Sequence, residues 1–241
     1  MVPSQDQNWW IKKTLQHKNN LPIFGWYFFP NLIKDSVPDI HVDLIRELSN
    51  RKNGAAIIPR GHAKTTWEEI DTIHDIAYGL EPLILYVSNS LGDAKLHFQS
   101  IKVELENNDV LRDVYGLLVP PNADQSKKWT DTHIETTNGV TLIARGHGKG
   151  RGVRVKGSRP TKIIVDDVED DDQVRSAEQR LKLHSWINKV IMPSLDKDRG
   201  YIKMIGTVLH QDCELLRFYN QHGGIYRKAI ENGKSVWWPM E

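Results

Sequence analysis

Apolar residues along this chain fall into two alternating patterns, short unbroken runs and longer stretches at helical spacing. Ala55-Ala56-Ile57-Ile58, Leu83 to Val87, Ile163-Ile164-Val165 and Tyr201 to Ile205 are the runs. Their bounding turn residues and their length predict strands buried on both faces. The helical stretches lie between them, at about 40–48, 65–77, 91–106 and 174–191. In the first, Ile40, Leu44, Ile45 and Leu48 share one face. Asn89 and Ser90 stand where the third needs a cap, and Pro193 lies just beyond the fourth. From 132 to 144 the period changes to two. Thr132, Ile134 and Thr136 alternate with polar partners, and Asn138-Gly139 predicts a tight hairpin turn before Val140 to Ala144 returns. Strands alternating with helices predict an α/β fold, a mostly parallel sheet with helices on both faces. Ahead of this pattern, Trp9, Trp10, Trp26, Tyr27, Phe28 and Phe29, broken by Pro22, Pro30 and Pro38, predict an N-terminal subdomain (1–50) packed on a core (51–241).

Composition narrows the class. At 241 residues the chain is long enough for a substantial core, and no apolar run approaches the roughly 20 residues of a membrane span. The N-terminus lacks the basic-then-apolar layout of an export signal. One cysteine, Cys213, excludes an internal disulfide and fits a reducing compartment. The net charge of +1 makes no case for a polyanion partner, but its distribution does. Arg145, Lys149, Arg151, Arg154, Lys156, Arg159 and Lys162 follow one another with no acid between, and then come Asp166, Asp167, Glu169, Asp170, Asp171 and Asp172. Two exposed runs pairing with each other would be the plain structural reading. Glycines at 146, 148, 150 and 152 predict a mobile basic segment rather than a rigid reading surface.

Candidate chemistry sits at two strand ends. Pro59-Arg60-Gly61-His62-Ala63-Lys64-Thr65-Thr66 joins a predicted strand to a predicted helix. A phosphate loop needs backbone N–H groups to wrap phosphates, a lysine for the β and γ oxygens and a hydroxyl for Mg²⁺. Lys64 and Thr65 are spaced for the last two roles. The pattern departs from G-x-x-x-x-G-K-[ST] at Ile58 and at Ala63, where glycines are expected. The second strand end, Ile163-Ile164-Val165-Asp166-Asp167, offers a carboxylate for the metal and an acid beside it for the attacking water. Asp166 is the natural metal partner, with Asp167 or Glu169 left as the water-orienting acid. A solvated acidic loop after a strand, or a Lys-Thr-Thr at an ordinary helix start, would account for either element alone. His133, His147, His184, His210 and His222 show no metal-ligand spacing with Cys213, and neither Gly-x-Ser-x-Gly nor Cys-x-x-Cys occurs.

Taken in order, Pro-Arg-Gly-His-Ala-Lys-Thr-Thr, Arg151-Gly152-Val153-Arg154 with Gly157-Ser158-Arg159-Pro160, Ile-Ile-Val-Asp-Asp-Val-Glu and Ile205-Gly206-Thr207 resemble the motifs of tailed-phage large terminases, from about residue 38 to the end. In that family the phosphate loop commonly begins with arginine and tolerates alanine before the lysine, as the resemblance would predict for both departures. The resemblance implies a P-loop NTPase of the additional-strand (ASCE) type that hydrolyses ATP with Mg²⁺ to drive double-stranded DNA into a procapsid. It implies nucleotide contacts from His41, Arg60, Gly61, His62, Ala63, Lys64, Thr65 and Thr66, with His41 on the adenine side, metal contacts from Thr65 and Asp166, and coupling through Thr207. Arg151 best matches the arginine lent to a neighbouring subunit, with Arg154 and Arg159 as alternatives. The implied partners are DNA, further copies in a ring on the portal, the portal protein and the small terminase subunit, in the host cytoplasm and away from membranes. The family's nuclease domain is expected to be absent from this chain. The rival readings are a helicase-like, nucleic-acid-stimulated ATPase and a non-catalytic nucleotide- or DNA-binding module.

Overall fold

The computed structural model describes residues 5–33, 37–123, 128–149, 153–231 and 234–235. In chain order its elements are α1 (Gln5–Leu15), α2 (Leu21–Phe28), α3 (Asp39–Ser49), β1 (Gly54–Ile57), α4 (Lys64–Tyr78), β2 (Leu83–Ser88), α5 (Leu91–Asn107) and α6 (Asp109–Tyr115). There follow β3 (His133–Glu135), β4 (Thr141–Gly146), β5 (Lys162–Asp166), α7 (Ala177–Trp186), β6 (Tyr201–Gly206), α8 (Glu214–His222), β7 (Gly224–Tyr226), β8 (Ile230–Glu231) and β9 (Lys234–Ser235). β8 and β9 pair only with each other. The other seven strands form one sheet in the order β3-β4-β2-β5-β6-β1-β7, parallel throughout except where β3 runs antiparallel to β4.

Every apolar run becomes a strand because the sheet is covered on both sides. Alternate residues of each strand enter opposite clusters. Ala56, Ile84, Tyr86, Leu142, Ile164 and Ile205 face a core built with α2 to α5, including Phe24, Leu44, Trp67 and Phe98. Ala55, Ile57, Leu85, Val87, Ile163 and Met204 face the second core, with Leu183, Trp186, Leu215 and Phe218 from α7 and α8. Each fully buried branched side chain contributes about 1.5–3 kcal/mol. The N-terminal helices share the first core, Leu15, Leu21 and Phe24 lying in one cluster with Ile70 and Ile73 of α4.

Polar side chains are buried beside this apolar packing. Lys162, at the start of β5, is fully buried between Asp71 and Asp75 of α4, at 2.6 and 2.8 Å. Lys18 reaches the same two carboxylates at 2.7 and 2.6 Å. Burial alone would raise the Asp71 carboxyl, but the two ammonium groups outweigh it and hold the group well below the usual range. Removing one member of such a set strands a buried charge, so the cluster fixes how α4 lies against the sheet.

Helix boundaries follow local chemistry. Ser90 and Asp93 form a reciprocal capping box at the start of α5, and the turn at Asn138-Gly139 closes the hairpin with Gly139 at φ +91°. The single helix expected at 174–191 is divided. Ser176 caps a new start at Ala177, a π-type turn covers Ile187–Ile191, and a 3-10 turn at Met192–Ser194 accommodates Pro193. None of the described helices is long and apolar enough to cross a membrane.

Candidate functional site

β1 leaves the sheet at Ile57, and the chain loops through 58–63 into α4, whose first residue is Lys64. The loop turns on two left-handed residues, Gly61 at φ +79° and Ala63 at φ +50°. Ala63 occupies a conformation that glycine adopts freely and that disfavours alanine by about 1–2 kcal/mol. The loop is held at its start through both backbone groups of Ile58. Ile58 N–H donates to Gly206 O at 3.1 Å, and the Thr207 hydroxyl donates to Ile58 O at 3.0 Å. His41 of α3 lies beneath it, 6% exposed, with Nε2 3.1 Å from His62 O and its ring against Trp67. The His62 ring turns back to Arg60 O at 2.9 Å, and Arg60 pairs with Asp171 at 3.4 Å. Gly61 is exposed, Thr66 half-buried.

The two predicted strand ends meet although about a hundred residues separate them. Lys64 Nζ lies 2.5 Å from Asp167 Oδ2, and the Thr65 hydroxyl donates to Asp166 Oδ2 at 3.5 Å. Asp167 sits at φ +39°, a left-handed position that aspartate tolerates better than most residues. A side chain on Gly206 would come within 3.1 Å of Asp167 Oδ1, so glycine there leaves the acid its room. Asp166 is buried, and Tyr86 donates to its Oδ2 at 3.1 Å. Burial, reinforced by Asp167, pushes the Asp166 carboxyl up to about 6, while Lys64 and His97 oppose the rise. A cavity of about 370 Å³ opens here, with Arg60, Ser88, His97, Asp166, Asp167 and Thr207 among its walls.

Glu169 is engaged elsewhere. Its carboxylate accepts from the backbone N–H of Glu214 at 2.8 Å and of Leu215 at 3.2 Å, the first turn of α8. The residue at that helix's own N-cap, Cys213, provides no side-chain bond. Arg151 lies outside the described residues. Arg154 is exposed, and Arg159, half-buried, donates to Pro193 O. With Lys189 these two arginines line a second cavity, of about 420 Å³, beside the segment that leads into β5. None of the three pairs with a described carboxylate.

The donor set suits a small hard cation. Asp166 Oδ1 is buried and has no hydrogen-bond partner, and the Thr65 hydroxyl adjoins the same carboxylate. Among the described residues no three His, Cys, Asp or Glu side chains could hold a metal by themselves. Mg²⁺ is a cation of this kind, taking one or two protein oxygens and completing its shell with phosphate and water. Tyr86 and His97 belong to no motif. Tyr86 had one legible signal, a hydroxyl inside an otherwise aliphatic strand, which must find a partner when buried.

β6 lies between β1, whose end carries the Lys64 loop, and β5, whose end carries Asp166 and Asp167, a strand order consistent with an additional-strand (ASCE) P-loop fold. The chain shares its fold with the large terminase of bacteriophage HK97, with a TM-score of 0.54 at 16% identity over 83% of this chain. It spans 40% of the length of that terminase. A mutant ATPase domain of the Thermus phage P74-26 large terminase aligns over 85% of this chain and 77% of its own length, at 13% identity and a TM-score of 0.49. No protein-family model and no curated protein matches the sequence.

Proposed function

We propose that this chain is the ATP-hydrolysing motor domain of a DNA-packaging machine of the large-terminase type. The observation that carries the reading is the convergence of Lys64 on Asp167 and of Thr65 on Asp166 at the ends of two separate strands. Lys64 pairs with Asp167. Phosphate oxygens of ATP displace that carboxylate and take Lys64, which frees Asp167 to accept a hydrogen bond from water. The water oxygen attacks the γ-phosphorus, the bond from that phosphorus to the β–γ bridging oxygen breaks, and ADP leaves with the electron pair. The water's proton passes by way of Asp167 to solvent or product phosphate. Thr65 and Asp166 are the residues that would hold Mg²⁺, which would supply charge neutralisation for the phosphates.

Asp167 takes the water-orienting role in this reading, because both oxygens of Glu169 are occupied by α8. Gly61, His62, Ala63 and Thr66 give the loop its phosphate-facing backbone, and His41 supports it from beneath. Arg60 trades Asp171 for phosphate. Thr207, bonded to the residue that opens the loop, passes the change of nucleotide state to β6. Arg151, with Arg154 and Arg159 as alternatives, completes a neighbouring copy's site in a ring on the portal, in the host cytoplasm, working with double-stranded DNA, the portal protein and the small terminase subunit. The test is Mg²⁺-dependent phosphate release by the purified chain at high protein concentration. Lys64→Ala is expected to abolish it. Full activity in that variant overturns the reading, and unwinding of a forked duplex supports a helicase-like enzyme in its place.

A further inference from the structure

Two aromatic side chains from different elements converge on one oxygen of Asp166. Tyr86, on β2, donates its hydroxyl to Oδ2 at 3.1 Å. His97, on α5, places Nε2 3.5 Å from the same oxygen. Their ring centroids are 5.2 Å apart with planes inclined by 31°, so each ring limits the movement of the other. The imidazole is held from behind as well. Its Nδ1 lies 3.1 Å from Glu69 Oε1, and the Ser100 hydroxyl donates to Glu69 Oε2 at 2.7 Å. Carboxylates only accept, and the ring faces one at each nitrogen, Glu69 at Nδ1 and Asp166 at Nε2, so the two contacts orient the ring and are both favourable when both nitrogens donate. Glu69 stands one helical turn after Thr65 on α4. The contacts Ser100, Glu69, His97, Asp166 and Thr65 therefore close a circuit between α4, α5 and β5.

The other oxygen of Asp166 differs sharply. Oδ1 is buried without a partner. A carboxylate's terminal torsion is intrinsically broad, and a hydrogen bond from Tyr86 with the His97 imidazole beside the same oxygen restricts that freedom. We propose that His97, anchored by Glu69 and backed by Tyr86, is a positioning residue that fixes Asp166 so that Oδ1 is kept as the oxygen for the nucleotide-associated Mg²⁺. This rests on the nucleotide site proposed above. It assigns no contact with substrate to His97. Outer partners of this kind change metal affinity by about 10–100-fold when removed.

The experiment is a titration of Mn²⁺, as the probe for Mg²⁺, into the purified chain with saturating ADP, reading free Mn²⁺ by electron paramagnetic resonance. His97→Ala is expected to weaken Mn²⁺ binding by about tenfold or more, with metal-free ADP binding unchanged. Glu69→Gln should fall between wild type and His97→Ala. His97→Gln, whose amide can reach Oδ2, should recover part of the loss, which a purely packing role for the imidazole would not produce. Affinity within twofold of wild type in His97→Ala overturns the proposal. Should that variant fail to fold, Tyr86→Phe, which removes only the hydroxyl, takes its place under the same criterion. A wild-type chain that takes up no Mn²⁺ with ADP overturns the nucleotide reading beneath it, a distinct result.

Discussion

Exchanging the two acids that follow β5 separates a chemical role from a structural one. Glu169 caps α8 from 45 residues away, accepting from two backbone amides that no other side chain satisfies. Losing a side-chain cap costs about 0.5–2 kcal/mol, and losing a negative charge at a helix N-terminus costs about 0.3–1 kcal/mol. Glu169→Ala should therefore cost about 1–2 kcal/mol. In a chain of this size each kcal/mol lowers Tm by roughly 2–4 °C, so a fall of about 2–8 °C is expected. Glu169→Gln keeps one acceptor and should lose about half as much, with phosphate release within a fewfold of wild type. Asp167 is the converse. Its backbone is left-handed, which asparagine tolerates equally, and its pairing with Lys64 is half-exposed. Asp167→Asn should change stability by no more than about 1 kcal/mol, while removal of a proton-accepting group lowers turnover by about 10²–10⁴-fold. The pair of assays is steady-state phosphate release and thermal melting on the same samples. Loss of turnover in Glu169→Gln at unchanged Tm, with Asp167→Asn still active, would refute the assignment.

Three further outcomes follow from other parts of the molecule. Ala63→Gly relieves a left-handed alanine but adds freedom to the unfolded chain, so it should be neutral or stabilise by up to about 1 kcal/mol in urea melts; a loss above that would contradict the loop conformation. Glu68 is fully buried, and burial pushes its carboxyl up to about 8. The folded chain then keeps a proton that the unfolded chain releases above about 4.5, so stability falls as pH rises from 5 to 8. Glu68→Gln should abolish that dependence, its advantage widening by at most about 1.4 kcal/mol per pH unit, and a gap independent of pH would exclude it. Replacing Arg154, Arg159 and Lys189 together by glutamine should make DNA binding less salt-dependent, the log–log slope shrinking by about 0.9 for each phosphate no longer neutralised. An unaltered slope would remove this cavity from the DNA path.

The legibility of the fold was uneven for physical reasons. Strands such as Leu83 to Val87 and Ile163 to Val165 are buried on both faces, so their apolar runs stand out without any tertiary information. The order of the strands is not written locally. That β6 lies between β1 and β5 depends on pairings such as Ala56 with Ile205 and Val165 with Met204. α8 carries no capping side chain of its own, because Glu169 supplies its cap from a distant segment, so no local start signal marks it in the sequence. α4 was expected from its apolar spacing, but its polar residues Glu68, Asp71, Thr72 and Asp75 are also buried, and periodicity counts them as solvent-facing. At the site, Lys64, Thr65, Asp166 and Asp167 could be named because each follows a strand in a recognisable order. His97 and Glu69 could not, since they lie within helices, outside any motif, and meet only when α4 packs on α5. His41, which the resemblance puts on the adenine side, is seated under the loop at His62.

The ends of the sheet carry a consequence for how copies of this chain can meet. The outermost strands, β3 and β7, are three residues each. A sheet extends from one molecule into another by offering a long row of unpaired amides and carbonyls, and short edge strands withhold that row. At β7 the close approach of Gly224 to Ala55, where even a methyl group would collide with the carbonyl, keeps the strand pressed inward on its neighbour. Strand-to-strand addition between copies is thus disfavoured at both margins. Association would fall to side chains and loops, contacts that can be made and released without unravelling the sheet that holds the candidate site.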